Sequence, residues 1–110
     1  MNAYIEEVKG KELQKLKPYI EHMEQIFADI GFREQIIGET KFFVFNNSYC
    51  KITPLIFPNG EIKFVLEWAD SREEAASNLL EDGELYSETL LESERLDKLR
   101  KDLLKQIKSL

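Results

Sequence analysis

Few side chains in this 110-residue chain have the types that do chemistry: one histidine, His22, and one cysteine, Cys50. Nucleophilic catalysis needs an activated Ser, Cys or Thr beside a base. A lone His and the lack of a nucleophile-elbow motif give that chemistry no constellation. A zinc site needs several His or Cys ligands, and no second His joins His22, which reads as a partly exposed surface residue. Cys50 sits in a stretch that reads as strand, where a lone thiol is more simply a small buried hydrophobe than a nucleophile. There is no glycine-rich phosphate loop. Carboxylates are plentiful, 21 Asp and Glu against 15 Lys and Arg. A paired-carboxylate hydrolase therefore stays open, although acids on solvated loops and helix ends are ordinary. Glu81-Asp82-Gly83-Glu84 lacks the ligand spacing of a calcium loop. No metal or cofactor is expected.

The charge is unevenly placed. The chain carries a net −6. Residues 67–94 hold ten acids against one base, Arg72, while residues 95–110 hold six bases against two acids. One reading is internal neutralisation, with acids near helix N-termini and bases near a C-terminus suiting the helix dipole. The other is an acidic surface that draws in a basic protein partner, raising association rate and selectivity more than affinity. On the second reading the contact residues are Glu74, Glu81, Asp82, Glu84, Leu85, Tyr86 and Glu88. Leu85 and Tyr86 supply anchor surface if they are exposed, and core docking if they are not. Nucleic acid is not an expected partner, because the basic C-terminal segment has no aromatic residue and no basic groove goes with it.

The elements that must position these residues centre on Cys50–Leu80. Asn59–Gly60 predicts a two-residue hairpin turn. In the strand after it, Ile62, Phe64, Leu66 and Trp68 point one way while Glu61, Lys63 and Glu67 point the other, with Val65 the one apolar exception. Such alternation belongs to a sheet with one buried face. Ser71 and Glu74 fit a capping box at the start of a helix. Upstream, Leu13, Leu16, Ile20, Met23, Phe27 and Ile30 form one helical stripe ended by Gly31. Pro18 predicts a kink or a fresh helix start within it. Phe32–Gly38 reads as a weak strand and Lys41–Asn46 as a firm one with apolar residues on both faces. Pro54 predicts a bulge or an edge position in Cys50–Phe57. Glu81–Glu88 reads as an acidic loop turning at Gly83. A last helix over about Ser93–Lys108 is striped by Leu96, Leu99, Leu103 and Ile107, with Leu104 and Leu110 flanking.

Together these predict a single α+β domain over residues 1–110: an antiparallel meander of three to four strands packed against N-terminal and C-terminal helices. A content of 43% hydrophobic and 33% charged residues fits a folded chain rather than a disordered one. One cysteine allows no intramolecular disulfide and fits a reducing cytosol, so a cytoplasmic location is expected. The longest apolar run, Phe42–Phe45, is far short of a membrane span, and Met1–Glu7 has no apolar leader.

Phe64-Val65-Leu66-Glu67-Trp68-Ala69-Asp70-Ser71 running into Glu73-Glu74-Ala75-Ala76, followed by Glu81-Asp82-Gly83-Glu84-Leu85-Tyr86, resembles the small acidic α+β immunity proteins of bacterial polymorphic-toxin systems. The resemblance covers about the second half of the chain. It implies a non-enzymatic inhibitor that binds and blocks a cognate toxin, and it transfers no functional residue. A general adaptor or regulatory interaction domain, including a homodimeric one, is the alternative, followed by a carboxylate-dependent enzyme.

Overall fold

The computed structural model describes residues 5–87 and 96–108. Its elements run β1 (Glu6–Glu7), α1 (Lys11–Ile30), β2 (Arg33–Ile37), β3 (Thr40–Phe45), β4 (Ser48–Ile56), β5 (Ile62–Ala69), α2 (Arg72–Ala76), β6 (Glu81–Ser87) and α3 (Leu96–Lys108). The strands form one antiparallel sheet in the order β2-β3-β4-β5-β6, with β1 added beside β4. The expected meander and flanking helices are present. The sheet has six strands rather than three to four, because a short N-terminal arm and the acidic segment 81–87 both join it.

The alternation in β5 sorts its side chains as predicted. Phe64 and Leu66 are buried, and with partly buried Ile62 and Trp68 they pack in one core with Leu16, Met23, Ile26 and Phe27 of α1 and Leu99 and Leu103 of α3. Each such fully buried side chain contributes about 1.5–3 kcal/mol of transfer free energy. Ile26 belongs to this face although the predicted stripe omitted it, and Leu13 lies at the solvent margin. On β3, Phe43 faces the same core, while Phe42 and Val44 turn to the other face and meet Ala69 and Ala75. Its two apolar faces are therefore both covered, the second by α2.

The ends of the helices are set by local chemistry. Gly31, at φ 120°, donates to the Ala28 carbonyl and Phe32 to the Phe27 carbonyl. This is a Schellman closure, and its accompanying apolar contact is the edge-on pair Phe27–Phe32 at 4.9 Å. Pro18 neither restarts nor ends α1, which runs on as a single 20-residue helix. The Ser71 hydroxyl accepts from Glu74 N–H at 3.1 Å, as a capping box requires. The Glu74 carboxylate reaches one residue further back than the motif expects, to Asp70 N–H at 3.1 Å. The helix they start is short. Asn78, at φ 58°, closes it with a second Schellman pair, Asn78 N–H to Ala75 and Leu79 N–H to Glu74.

One turn expectation changes. The Asn59–Gly60 connection is a three-residue loop, not a two-residue one. Gly60 N–H bonds the Phe57 carbonyl, and Phe57 N–H bonds the Glu61 carbonyl. Pro58 holds a negative φ and favours the first position of a type I turn, so Gly60 alone takes the left-handed conformation, at φ 87°. Asn59 instead accepts from Glu61 N–H at 3.0 Å. Pro54 lies within β4 opposite Phe64. Its carbonyl accepts from Val8 N–H at 3.0 Å, so its nitrogen faces the β1 side and the pairing with β5 is intact.

Candidate functional site

The segment expected to be an acidic loop is an edge strand. β6 pairs along β5 with Phe64 opposite Tyr86, Val65 opposite Leu85, Glu67 opposite Asp82 and Trp68 opposite Glu81. Between these pairs Gly83 and Glu84 together oppose Leu66, which makes a β-bulge. Gly83 thus marks a bulge rather than a turn. A Cβ at this position would lie 2.8 Å from Trp68 Nε1 and 3.0 Å from the Leu66 carbonyl oxygen, so glycine lets the indole press against the strand.

The pairing divides the predicted contact residues. Tyr86 is not an exposed anchor: it is 1% exposed, on the helix side of the sheet. Its hydroxyl donates to Asp102 Oδ2 on α3 at 2.7 Å, and Lys98 donates to the same oxygen at 3.0 Å. Burial, then the bond to Asp102, pushes the Tyr86 hydroxyl far above its ordinary pKa. Desolvation raises the Asp102 carboxyl, but the hydrogen bonds from Tyr86 and Lys98 outweigh it and hold the group below its ordinary value. The bond to Asp102 also raises Lys98. Tyr86 is therefore the pin that fastens α3 to the edge of the sheet. Leu85, on the other face, is 46% exposed. Glu74, Glu81, Asp82 and Glu84 are exposed, and Glu88 lies outside the described residues.

Between β6 and α3 lies an open cleft of about 450 Å³, with Leu66, Trp68, Tyr86 and Leu103 among its apolar lining. Asp70, Glu81, Asp82, Glu84 and Asp102 also line it. Of the acids on β6, Glu84 has a cation near it, Lys98 at 3.9 Å. Lys98 is four residues from Asp102, whose carboxylate it already holds, so α3 neutralises this end only in part. Among the described residues no group of three His, Cys, Asp or Glu could hold a metal. No protein-family model, curated protein or solved structure matches the chain.

The residues flagged for other chemistry lie apart from the cleft lining. Cys50 is fully buried opposite Trp68, and burial, with Glu67 adding to it, raises its thiol well above the ordinary value. A thiol so held is protonated at neutral pH and unreactive. His22 is on the exposed side of α1. Trp68 and Asp102 were not singled out by the sequence as cleft residues. Trp68 read simply as core, and Asp102 lies in a basic helix whose charge masks it.

Proposed function

We propose that this protein is a non-enzymatic binding module whose acidic end receives a basic protein partner, in the manner of an immunity protein that binds and neutralises a toxin domain. The observation that carries the reading is the placing of Glu67 and Asp82 directly opposite one another on β5 and β6. Like charges at opposed positions of a sheet are locally destabilising. Lys51 stands opposite Glu67 on its other side, but its ion pair runs to Glu7, while Glu67 accepts a hydrogen bond from the Thr53 hydroxyl. A residue choice that works against the fold is expected where the surface serves something else. Exposed Glu81 and Glu84 extend the same negative field around the bulge. Such a field steers a cationic partner to this edge, and nearby like charge disfavours acidic competitors.

Affinity capture from a lysate of the native cells, with the parent and with the triple variant Glu81→Lys/Asp82→Lys/Glu84→Lys, tests this. The expected result is a captured protein with a basic domain that the folded triple variant fails to retain. Expressed alone, that domain should arrest growth, and co-expression of the parent should relieve the arrest. A partner held equally by both forms would sink the acidic-end reading.

A further inference from the structure

A second hollow adjoins the cleft. It is about 380 Å³ in volume, formed around Trp68, Leu79 and Leu80 with Asp70, Glu74 and Glu81 also lining it. Trp68, Asp70 and Glu81 line both hollows, so they make one groove passing round the end of β5 and β6. The apolar surface in this half is open: Leu79 is 65% exposed, held out by the Schellman turn that ends α2. An apolar floor with carboxylates on its rim has a definite complement.

We propose that the groove docks a short extended segment of the partner in which one aliphatic side chain is flanked by lysines or arginines. The aliphatic group covers Leu79 beside Trp68, and the flanking cations meet Asp70 and Glu81. The assignment rests on the reading of the acidic end as a binding face, and it adds the local chemistry of what is bound. Charge complementarity selects the occupant: nucleic acid and acidic peptides are repelled by the rim, and an uncharged apolar peptide leaves the carboxylates unpaired. Leu79 gives the groove a preference that charge alone does not, since burying an apolar side chain adds affinity that salt does not screen.

The chain has a single tryptophan, and it is Trp68, so its fluorescence reports the groove directly. The probe is a capped pentapeptide, Lys-Arg-Leu-Arg-Lys, titrated to ~1 mM, the range in which contacts of this size bind. The controls replace its Leu with Ser or its bases with Glu. The Leu peptide should change the Trp68 emission saturably. The Ser peptide should bind about tenfold more weakly, and the Glu peptide should have no effect. Leu79→Ser and Glu81→Lys, each checked for native circular dichroism, should weaken the Leu peptide by a similar factor. No saturable change, or equal binding of the Leu and Ser peptides, overturns the groove assignment. If the peptide fails while the triple variant still loses the captured partner, the groove is wrong and the acidic end stands. If capture survives the triple variant, the broader reading has failed instead.

Discussion

Tyr86 carries more of the structure than any other residue of the acidic segment, and it does so by facing inward. Its ring fills the core opposite Phe64, and its hydroxyl gives Asp102 one of the two hydrogen bonds that carboxylate accepts from side chains among the described residues. Removing the hydroxyl keeps the packing and leaves a partly buried carboxylate short of a donor. Tyr86→Phe should therefore cost about 1.5–3 kcal/mol, the range for hydrogen bonds to charged groups. The pH dependence follows from the directions of the shifts. Asp102 is lowered, so its contribution is present above its ordinary pKa and is lost as pH falls through the lower folded value. Lys98 and Tyr86 are raised, so theirs are complete below their ordinary values and are lost as pH rises toward the folded ones. The latch is thus whole between roughly pH 4 and pH 10. Urea unfolding of parent and Tyr86→Phe from acid to neutral pH checks both parts. The variant should be weaker at neutral pH and should lose less on acidification. Equal stability at neutral pH, or an unchanged acid limb, would refute the latch.

At the scale of elements, the legible parts were those whose signal is local. The alternation of β5, the Ser71 cap, the Gly31 stop and the Leu99, Leu103 and Ile107 part of the α3 stripe each state a period or a terminus in a few residues, and each is found where expected; the side chain of Leu96 lies outside the described residues. β6 was illegible for a physical reason. Glu, Asp and Gly have low strand propensity, and an edge strand needs pairing on one side only, so β5 holds what β6 would not form by itself. Its inward signal is carried by Tyr86, while the bulge breaks the alternation that would have exposed a strand. The Asn59–Gly60 dipeptide gave the place of a hairpin but not its length, because Pro58 shifts the turn by one residue. Bulge and indole are coupled, which makes Gly83→Ala informative. The added Cβ meets Trp68 at 2.8 Å with backbone oxygen of Leu66 behind at 3.0 Å, so either the indole or the strand must move. Overpacking of this kind costs about 1–3 kcal/mol. The variant should melt lower and its tryptophan emission should shift. Unchanged emission together with unchanged stability would mean that the bulge does not seat the indole. The candidate site was legible as charge but not as shape: the acids were evident, while the cleft depends on β6 and α3 meeting across Tyr86 and Asp102, sixteen residues apart.

Over the whole molecule, the question is whether the acidic end serves the fold or a partner, and stability can decide it without the partner. If these acids existed to neutralise α3, reversing them would cost stability. The geometry points the other way for Asp82. It stands opposite Glu67, and among the described residues no cation pairs with it. Asp82→Lys would complete an alternating ladder of Lys51, Glu67 and the new base across β4, β5 and β6. Opposite-charge pairs at such positions contribute about 0.2–1 kcal/mol, and the removal of a like-charge pair adds to this. The expected outcome is a folded variant with a melting temperature raised by a few degrees at low salt, an advantage that shrinks as salt screens it. Glu84 gives the internal contrast. It pairs with Lys98, so Glu84→Lys should be neutral or slightly destabilising. Stabilising substitutions that harm function are the expected mark of a surface kept for binding. With a partner in hand, Asp82→Lys should slow association and leave dissociation nearly unchanged. Thermal melts over a range of salt check the first half, and stopped-flow association the second. If Asp82→Lys destabilises the protein at low salt, Asp82 belongs to the fold and its place opposite Glu67 does not mark a binding edge.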